Sequence, residues 1–425
     1  MKRRKFVELT SLGSAAAAAS IWFPSDSDDR KIKIGLIGAG WYGMVISKAA
    51  LSAGGAEIAA VCDVDSEHLV KSADELQKIQ GTRPVTYKYY QDLLEMKGLD
   101  AIFIGTPPQW HALQFIAACE KGYDIYCEKP LSYDVREGIA MVSAARKAGN
   151  IVQIGFQRRQ SNAFKKVKEL IEAGIIGNIH RIVAQINYIP VLEDTTVQDP
   201  PASLDWDEWC GPAPKLDYRP NIGHKAWRLE KEYGNGHLVD WGIHHIDIIR
   251  CIMNEGMPTK FVASGGINVL KGQITTPDTL TVDMEFESAP VFWQHRLWGT
   301  GDVTREYNNG IFFYGENGTI FADDSKVIMF PADRSSLRNE MVFSTPQAQV
   351  DHVRNFLDAV RKKDKNLLSC TPEDAFLSTA TVQLSMIAYY TGSPVIWDPL
   401  AKEIKENQTA SAMLTREYRS KYTHP

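Results

Sequence analysis

The sequence predicts an α/β protein of two domains. An N-terminal Rossmann-type, doubly wound parallel sheet precedes a C-terminal α/β domain with a large, mostly antiparallel sheet. Three observations carry that prediction. A glycine-rich turn, Gly38-Ala39-Gly40-Trp41-Tyr42-Gly43, stands between an apolar strand run at 31–37 and a helical pattern. Strand and helix periods then alternate as far as Phe156. Beyond Phe261 the pattern becomes short alternating strands divided by turns.

The 425-residue length suits two or three domains, and a net charge of −5 without basic runs beyond residue 5 argues against a nucleic-acid partner. No apolar run reaches the length of a membrane-spanning helix, and no cysteine precedes Cys62, so no membrane anchor is expected. Residues 1–30 read as a signal peptide and linker. Lys2-Arg3-Arg4-Lys5-Phe6 and a mild Ala-rich run resemble a twin-arginine export signal, which implies the periplasm. Should the signal not function, the protein stays in the cytoplasm. The six cysteines form no C-x-x-C pair and no metal-ligand spacing, so buried thiols are expected and no metal is assigned.

The Rossmann domain is assigned to residues 31–156. In its first turn, Gly38 and Gly40 permit a tight bend and close approach of a pyrophosphate, while Gly43 lets the helix pack on the strand. Trp41 and Tyr42 occupy the same turn. Asp63 ends the next strand, 20 residues after Gly43, where a carboxylate accepts hydrogen bonds from ribose and repels a 2′-phosphate. NAD is therefore expected, and NADP is disfavoured. Thr106, Pro107 and His111 follow another strand end and border the cofactor, although His111 also suits a packed helix position. Glu128-Lys129-Pro130 ends a further strand, in the crevice where such sheets bind ligands.

The second domain is assigned to 157–398, with 399–425 as a charged surface tail. It opens on Gln157, Arg158 and Arg159. A long irregular segment at 190–220 reads as a functional loop. After Asn235, a helix cap candidate, Asp240, His244 and Asp247 stand i, i+4, i+7 on one helical face. A carboxylate beside an imidazole orients it and raises its basicity, as a general base requires. A buried His–Asp pair is the structural alternative, and a metal pair lacks a third ligand. His245 faces about a quarter turn away.

Taken together, Gly38–Gly43, Glu128-Lys129-Pro130, Gly155-Phe156-Gln157-Arg158-Arg159 and Asp240-Trp241-Gly242-Ile243-His244 resemble the glucose–fructose oxidoreductase/inositol dehydrogenase/rhizopine-catabolism (Gfo/Idh/MocA) family. The resemblance implies hydride transfer between a nicotinamide and a carbon of a sugar or cyclitol. It also implies a homo-oligomer, dimer or tetramer, joined through the large sheet. Lys129, Asp240 and His244 become the expected catalytic set, and Glu128 and Gln157 cofactor neighbours. Arg158, Arg159, Tyr188, Trp227, Arg228 and His245 are substrate-contact candidates, each with a packing or surface alternative. The family also includes glycosidases that oxidise transiently through bound NAD and a non-catalytic dinucleotide-binding regulator. Both remain open as alternatives to a dehydrogenase.

Overall fold

The computed structural model describes residues 30–333, 337–344, 347–419 and 421–425, so the expected export signal lies outside the described residues. The first six strands are β1 (Ile32–Ile37), β2 (Ala56–Cys62), β3 (Val85–Tyr87), β4 (Ala101–Ile104), β5 (Asp124–Glu128) and β6 (Val152–Gly155). They form one parallel sheet in the order β3-β2-β1-β4-β5-β6. Every residue of β4 and β5 is buried, as expected for strands covered on both faces. Strand order reverses between β1 and β4, and the crevice at their carboxyl ends is the position where such sheets bind ligands.

Ten further strands make the second sheet: β7 (Ile179–Ile186), β8 (Lys260–Gly266), β9 (Thr279–Glu285), β10 (Pro290–Arg296), β11 (Asn309–Gly315), β12 (Gly318–Ala322), β13 (Lys326–Pro331), β14 (Asn339–Val342), β15 (Val395–Asp398) and β16 (Glu403–Lys405). Their order is β14-β13-β12-β11-β7-β10-β9-β8-β15-β16, antiparallel except where β10 lies beside β7. Helices Asn162–Glu172 and Pro372–Thr391 pack on this sheet. No helix among the described residues is long and apolar enough to cross a membrane.

Two expectations change. The tail after residue 398 is not a loose surface segment. Glu403–Lys405 adds the strand β16, and Ala410, Leu414 and Tyr418 are buried at four-residue spacing. The Tyr418 hydroxyl donates to Glu137 Oε1 at 2.7 Å, tying the tail to the helix Val135–Ala148 of the first domain. The helix Ala348–Lys362, expected in the second domain, completes the core of the first. Its Val353, Phe356, Leu357 and Val360 share a cluster with Ile34, Leu36, Phe103 and Tyr126.

The irregular loop expected at 190–220 is longer, running from β7 to the turn at Leu238 with short helical turns inside it, and carries a core of its own. Trp206 and Trp209 stack at 4.7 Å, with Tyr218, Trp227 and Tyr233 around them. Backbone contacts then hold this loop to the first domain: Ser66 N donates to Ser203 O (2.9 Å) and Asp205 N to Val64 O (3.1 Å). All six cysteines are free thiols, five of them buried.

Candidate active site

The glycine turn is built by contacts that a side chain would block. A Cβ on Gly43 would stand 1.8 Å from the Gly38 carbonyl oxygen, and Gly38 itself has φ +88° against the Thr106 backbone. A Cβ on Gly40 would meet nothing within 4 Å among the described residues. Gly40 caps the helix Trp41–Ala53 without a side-chain hydrogen bond, so the helix presents free N–H donors to the crevice. Asp63 closes the other side, accepting from Ala39 N at 2.7 Å and Asp65 N at 2.9 Å. Burial pushes its carboxyl above the usual range, and these amides pull it back. A trough of about 680 Å³ runs from Asp63 past Gly40 to Thr106 and Pro107, with Trp227 and Arg228 of the long loop on its far wall. A glycine floor, free helix amides and a ribose-side carboxylate suit a dinucleotide such as NAD.

A second cavity of about 490 Å³ continues from this trough and shares Trp41, Tyr42, Thr106, Trp227 and Arg228 with it. Lys129, Arg158, Asp240 and His244 line its walls. Lys129 follows β5, its peptide bond to Pro130 is cis, and its Nζ donates to the Asp240 carbonyl (2.6 Å) and Oδ1 (2.9 Å). Arg228 Nε takes the other oxygen, Asp240 Oδ2, at 3.1 Å. Burial raises the Asp240 carboxyl, but Lys129 and Arg228 outweigh it and hold the group below the usual carboxylate range. Beneath Lys129, Glu128 is buried and its Oε1 has no hydrogen-bond partner among the described residues. Burial lifts its carboxyl to about 8, against the pull of Lys129. Gly155 makes room for it, since a Cβ there would lie 2.5 Å from Glu128 Oε1.

The expected Asp240–His244 dyad does not form. Residues Leu238–Gly242 make a π-helical turn before the α-helix Ile243–Met253, so simple i, i+4, i+7 stacking is broken. Gly242 accommodates that turn, because a Cβ would press to 3.0 Å from Trp293. Asp240 serves Lys129 and Arg228, while His244 Nδ1 is buried without a partner among the described residues. Burial, then Lys129 and Arg158, push the His244 pKa well below its ordinary value rather than raising it. Asp247 is turned to the core, paired with Arg159 at 2.5 Å. Asn235 does not cap the helix; its Oδ1 accepts from the Tyr390 hydroxyl at 2.9 Å.

The other predicted site residues divide. Gln157 Nε2 donates to the Tyr42 hydroxyl (2.7 Å), which donates to Gln349 Oε1 (2.9 Å), fixing the wall between the cavities. Arg158 borders the smaller cavity, paired with Asp324 at 3.0 Å. Arg159 is instead consumed by Asp247, Asp374 and the Ser369 carbonyl. His245 is buried between Arg158 and Asn309 Oδ1. Tyr188 lies against His237 and Trp241, outside both linings. His111 is buried, its ring nitrogens 2.8 Å from the Thr106 and Pro130 carbonyls, and so links two cavity turns from behind. Trp241, Asp324 and Gln349 line the smaller cavity without having been singled out. Trp241 was legible, since it sits within the Asp240–His244 motif.

Fold and site define a two-domain nicotinamide-dependent oxidoreductase. The Gfo/Idh/MocA oxidoreductase family's NAD-binding Rossmann model matches residues 32–156, and its C-terminal alpha/beta domain model matches 161–424. The chain belongs to that family, and it is an NAD(P)-dependent oxidoreductase acting on CH–OH groups. It is 28% identical over 299 residues to a myo-inositol 2-dehydrogenase of Thermotoga maritima, covering 69% of this chain and 75% of that one. A glycosyl hydrolase family 109 protein of Stenotrophomonas maltophilia is 35% identical over 137 residues, 30% of this chain and 29% of that one. A levoglucosan dehydrogenase solved with NADH and levoglucosan shares the fold, with TM-score 0.68 and 19% identity over 86% of this chain and 99% of that one.

Proposed function

We propose that this chain transfers hydride between NAD and a secondary hydroxyl or carbonyl of a sugar, glycoside or cyclitol. The observation that carries the reading is Lys129, aimed by Asp240 into a cavity continuous with the dinucleotide trough. NAD, when bound, supplies the hydride acceptor, and the residues from Gly38 to Gly43 with Asp63 hold it. Lys129 has a hydrogen left after its two bonds to Asp240 and donates it to the substrate oxygen, stabilising charge that develops there. His244 is neutral, so a free ring nitrogen can accept the hydroxyl proton. Arg158, Arg228, Trp41 and Trp241 surround the space with guanidinium donors and aromatic faces, which suit a polyhydroxylated ring. The myo-inositol relative supports this substrate class.

Lys129→Met tests the reading. Turnover with a panel of sugars and cyclitols should fall at least about 100-fold while NAD binding persists. Unchanged turnover would sink the mechanism. The glycosyl hydrolase relative favours a second reading, glycoside cleavage through transient oxidation. Aryl glycosides with a trace of NAD separate the two: phenol release without NADH accumulation favours cleavage, and stoichiometric NADH favours the dehydrogenase.

Arg3-Arg4 support export of the folded protein to the periplasm, where retained cofactor would be needed. The lining of the trough by Trp41 and by residues of the long loop supports closure over it. Bound NAD should then survive extensive dialysis, and its loss with activity rescued by added NAD would rule out retention. Oligomerisation through the open face of the second sheet is supported by Phe292 beneath Arg181 (4.4 Å) and by Phe312 stacked on Tyr314. Sedimentation of a monomer would exclude it.

A further inference from the structure

We propose that Asp65, His68 and His224 form a binding site for a divalent transition metal, with zinc the favoured occupant, that staples the long loop to the Rossmann domain beside the dinucleotide trough. The binding itself does not depend on the substrate reading above; its effect on cofactor release rests on the NAD reading.

The donor set is two imidazoles and one carboxylate, a combination that suits zinc and neighbouring transition ions rather than magnesium or calcium. One donor atom from each residue lies within 4.8 Å of the other two. The His224 Nε2 to Asp65 Oδ2 separation is 3.2 Å. Bonds of about 2.0–2.1 Å in tetrahedral geometry need ligand-to-ligand edges of about 3.3 Å, so that edge is already in place. The His68 ring lies 4.3 Å from the His224 ring, centroid to centroid, with one of its nitrogens within 4.8 Å of both other donors.

The three residues are presented in different ways. Asp65 is buried at the N-cap of the helix Ser66–Gln80, where Oδ1 accepts from the Glu67 and His68 amides. Oδ2 is left to face His224. His68 is in the helix's first turn, so its backbone amide is fixed by the same carboxylate. His224 arrives on the loop with φ +40°, a left-handed conformation uncommon for a residue bearing a Cβ. Neighbouring backbone contacts at Ser66 and Asp205 already lay the loop against this corner.

Both histidines line the trough. Three protein ligands leave a fourth position for water. The loop segment after His224 carries Trp227 and Arg228, which wall both cavities. A metal here therefore fixes the loop over the trough.

The test uses the full chain with an affinity tag free of histidine, stripped with chelator and titrated with zinc alone by calorimetry. One zinc per chain should bind, and His68→Gln and His224→Asn should each weaken binding at least tenfold. Asparagine tolerates the left-handed backbone at 224, and His68→Gln, at a half-buried position, serves if the loop variant misfolds. His424→Ala removes a second cluster, Asp134, Glu137 and His424, and should leave zinc affinity unchanged. Zinc affinity equal in wild type and the His68→Gln/His224→Asn double variant would overturn the site. So would binding that follows His424. Release of bound NAD, followed by displacement fluorescence, should be slower with zinc than without. Equal release rates would overturn the staple while leaving the site standing, and no detectable NAD binding in either state would indict the cofactor reading instead.

Discussion

Glu128→Gln isolates the energetic tension at the centre of the site. Glu128 is 4% exposed, its Oε1 lacks a partner, and burial lifts its pKa from 4.5 to about 8. Between those values the folded protein holds a proton that the unfolded chain has released. The folded state therefore binds more protons, and its stability falls as pH rises from about 4.5 to about 8. At about 1.4 kcal/mol per pH unit, rounded at both ends of the window, the loss between pH 5 and pH 8 is about 3.5 kcal/mol. Glutamine keeps the shape and cannot ionise. Urea unfolding of apo wild type and variant at both pH values yields a double difference in which every other titrating group cancels. The variant should gain about 2–4 kcal/mol relative to wild type on going from pH 5 to pH 8. Parallel profiles, within about 0.5 kcal/mol, would refute a buried, proton-holding Glu128.

Other perturbations separate structural from chemical roles. Gly43→Ala drives a methyl into the Gly38 carbonyl; a loss of about 1–3 kcal/mol in urea unfolding and of NAD binding by fluorescence titration is expected. Arg159→Ala strands Asp247 in the core; stability measured by urea should fall by about 3–5 kcal/mol, whereas a stable variant with a raised KM would return Arg159 to the substrate. Asp240→Asn removes the carboxylate shared by Lys129 and Arg228; steady-state kinetics should show kcat falling roughly 100-fold with a smaller change in KM.

The Rossmann half was legible because its signals are local. A tight turn at Gly38–Gly43, buried strand runs and a strand-end acid each follow from a few neighbouring residues. The second half was legible in class but less so in detail. Nothing local announces that Val353 and Phe356 complete the first domain's core, since only tertiary packing selects that face. The tail shows the opposite failure: Ala410, Leu414 and Tyr418 recur every fourth residue, a short period masked by surrounding charge. In the site, motif singled out Lys129 and Asp240, which the fold brings into one ion pair, but the expected partner of Asp240 was His244. Helical spacing set Asp240 beside His244, and the π-turn at Leu238–Gly242 changes that register. His68 and His224 escaped notice because their proximity depends on a loop crossing between domains.

That loop makes the site a single unit. Arg228 completes the pair of cations around Asp240, yet it is carried by the segment that also supplies His224 to the ribose side of the trough. If the loop lifted, Asp240 would lose one of the two cations that offset its burial. Its carboxylate would then be held by Lys129 alone, and the lysine's aim into the cavity would depend on one pair instead of a braced triad. The loop's wall along the trough and the bracing of Asp240 beside Lys129 thus depend on the same docking. A substitution that loosens the loop at Trp206, which lines neither cavity, should lower kcat and weaken NAD binding together, where a change confined to Lys129 should lower kcat alone.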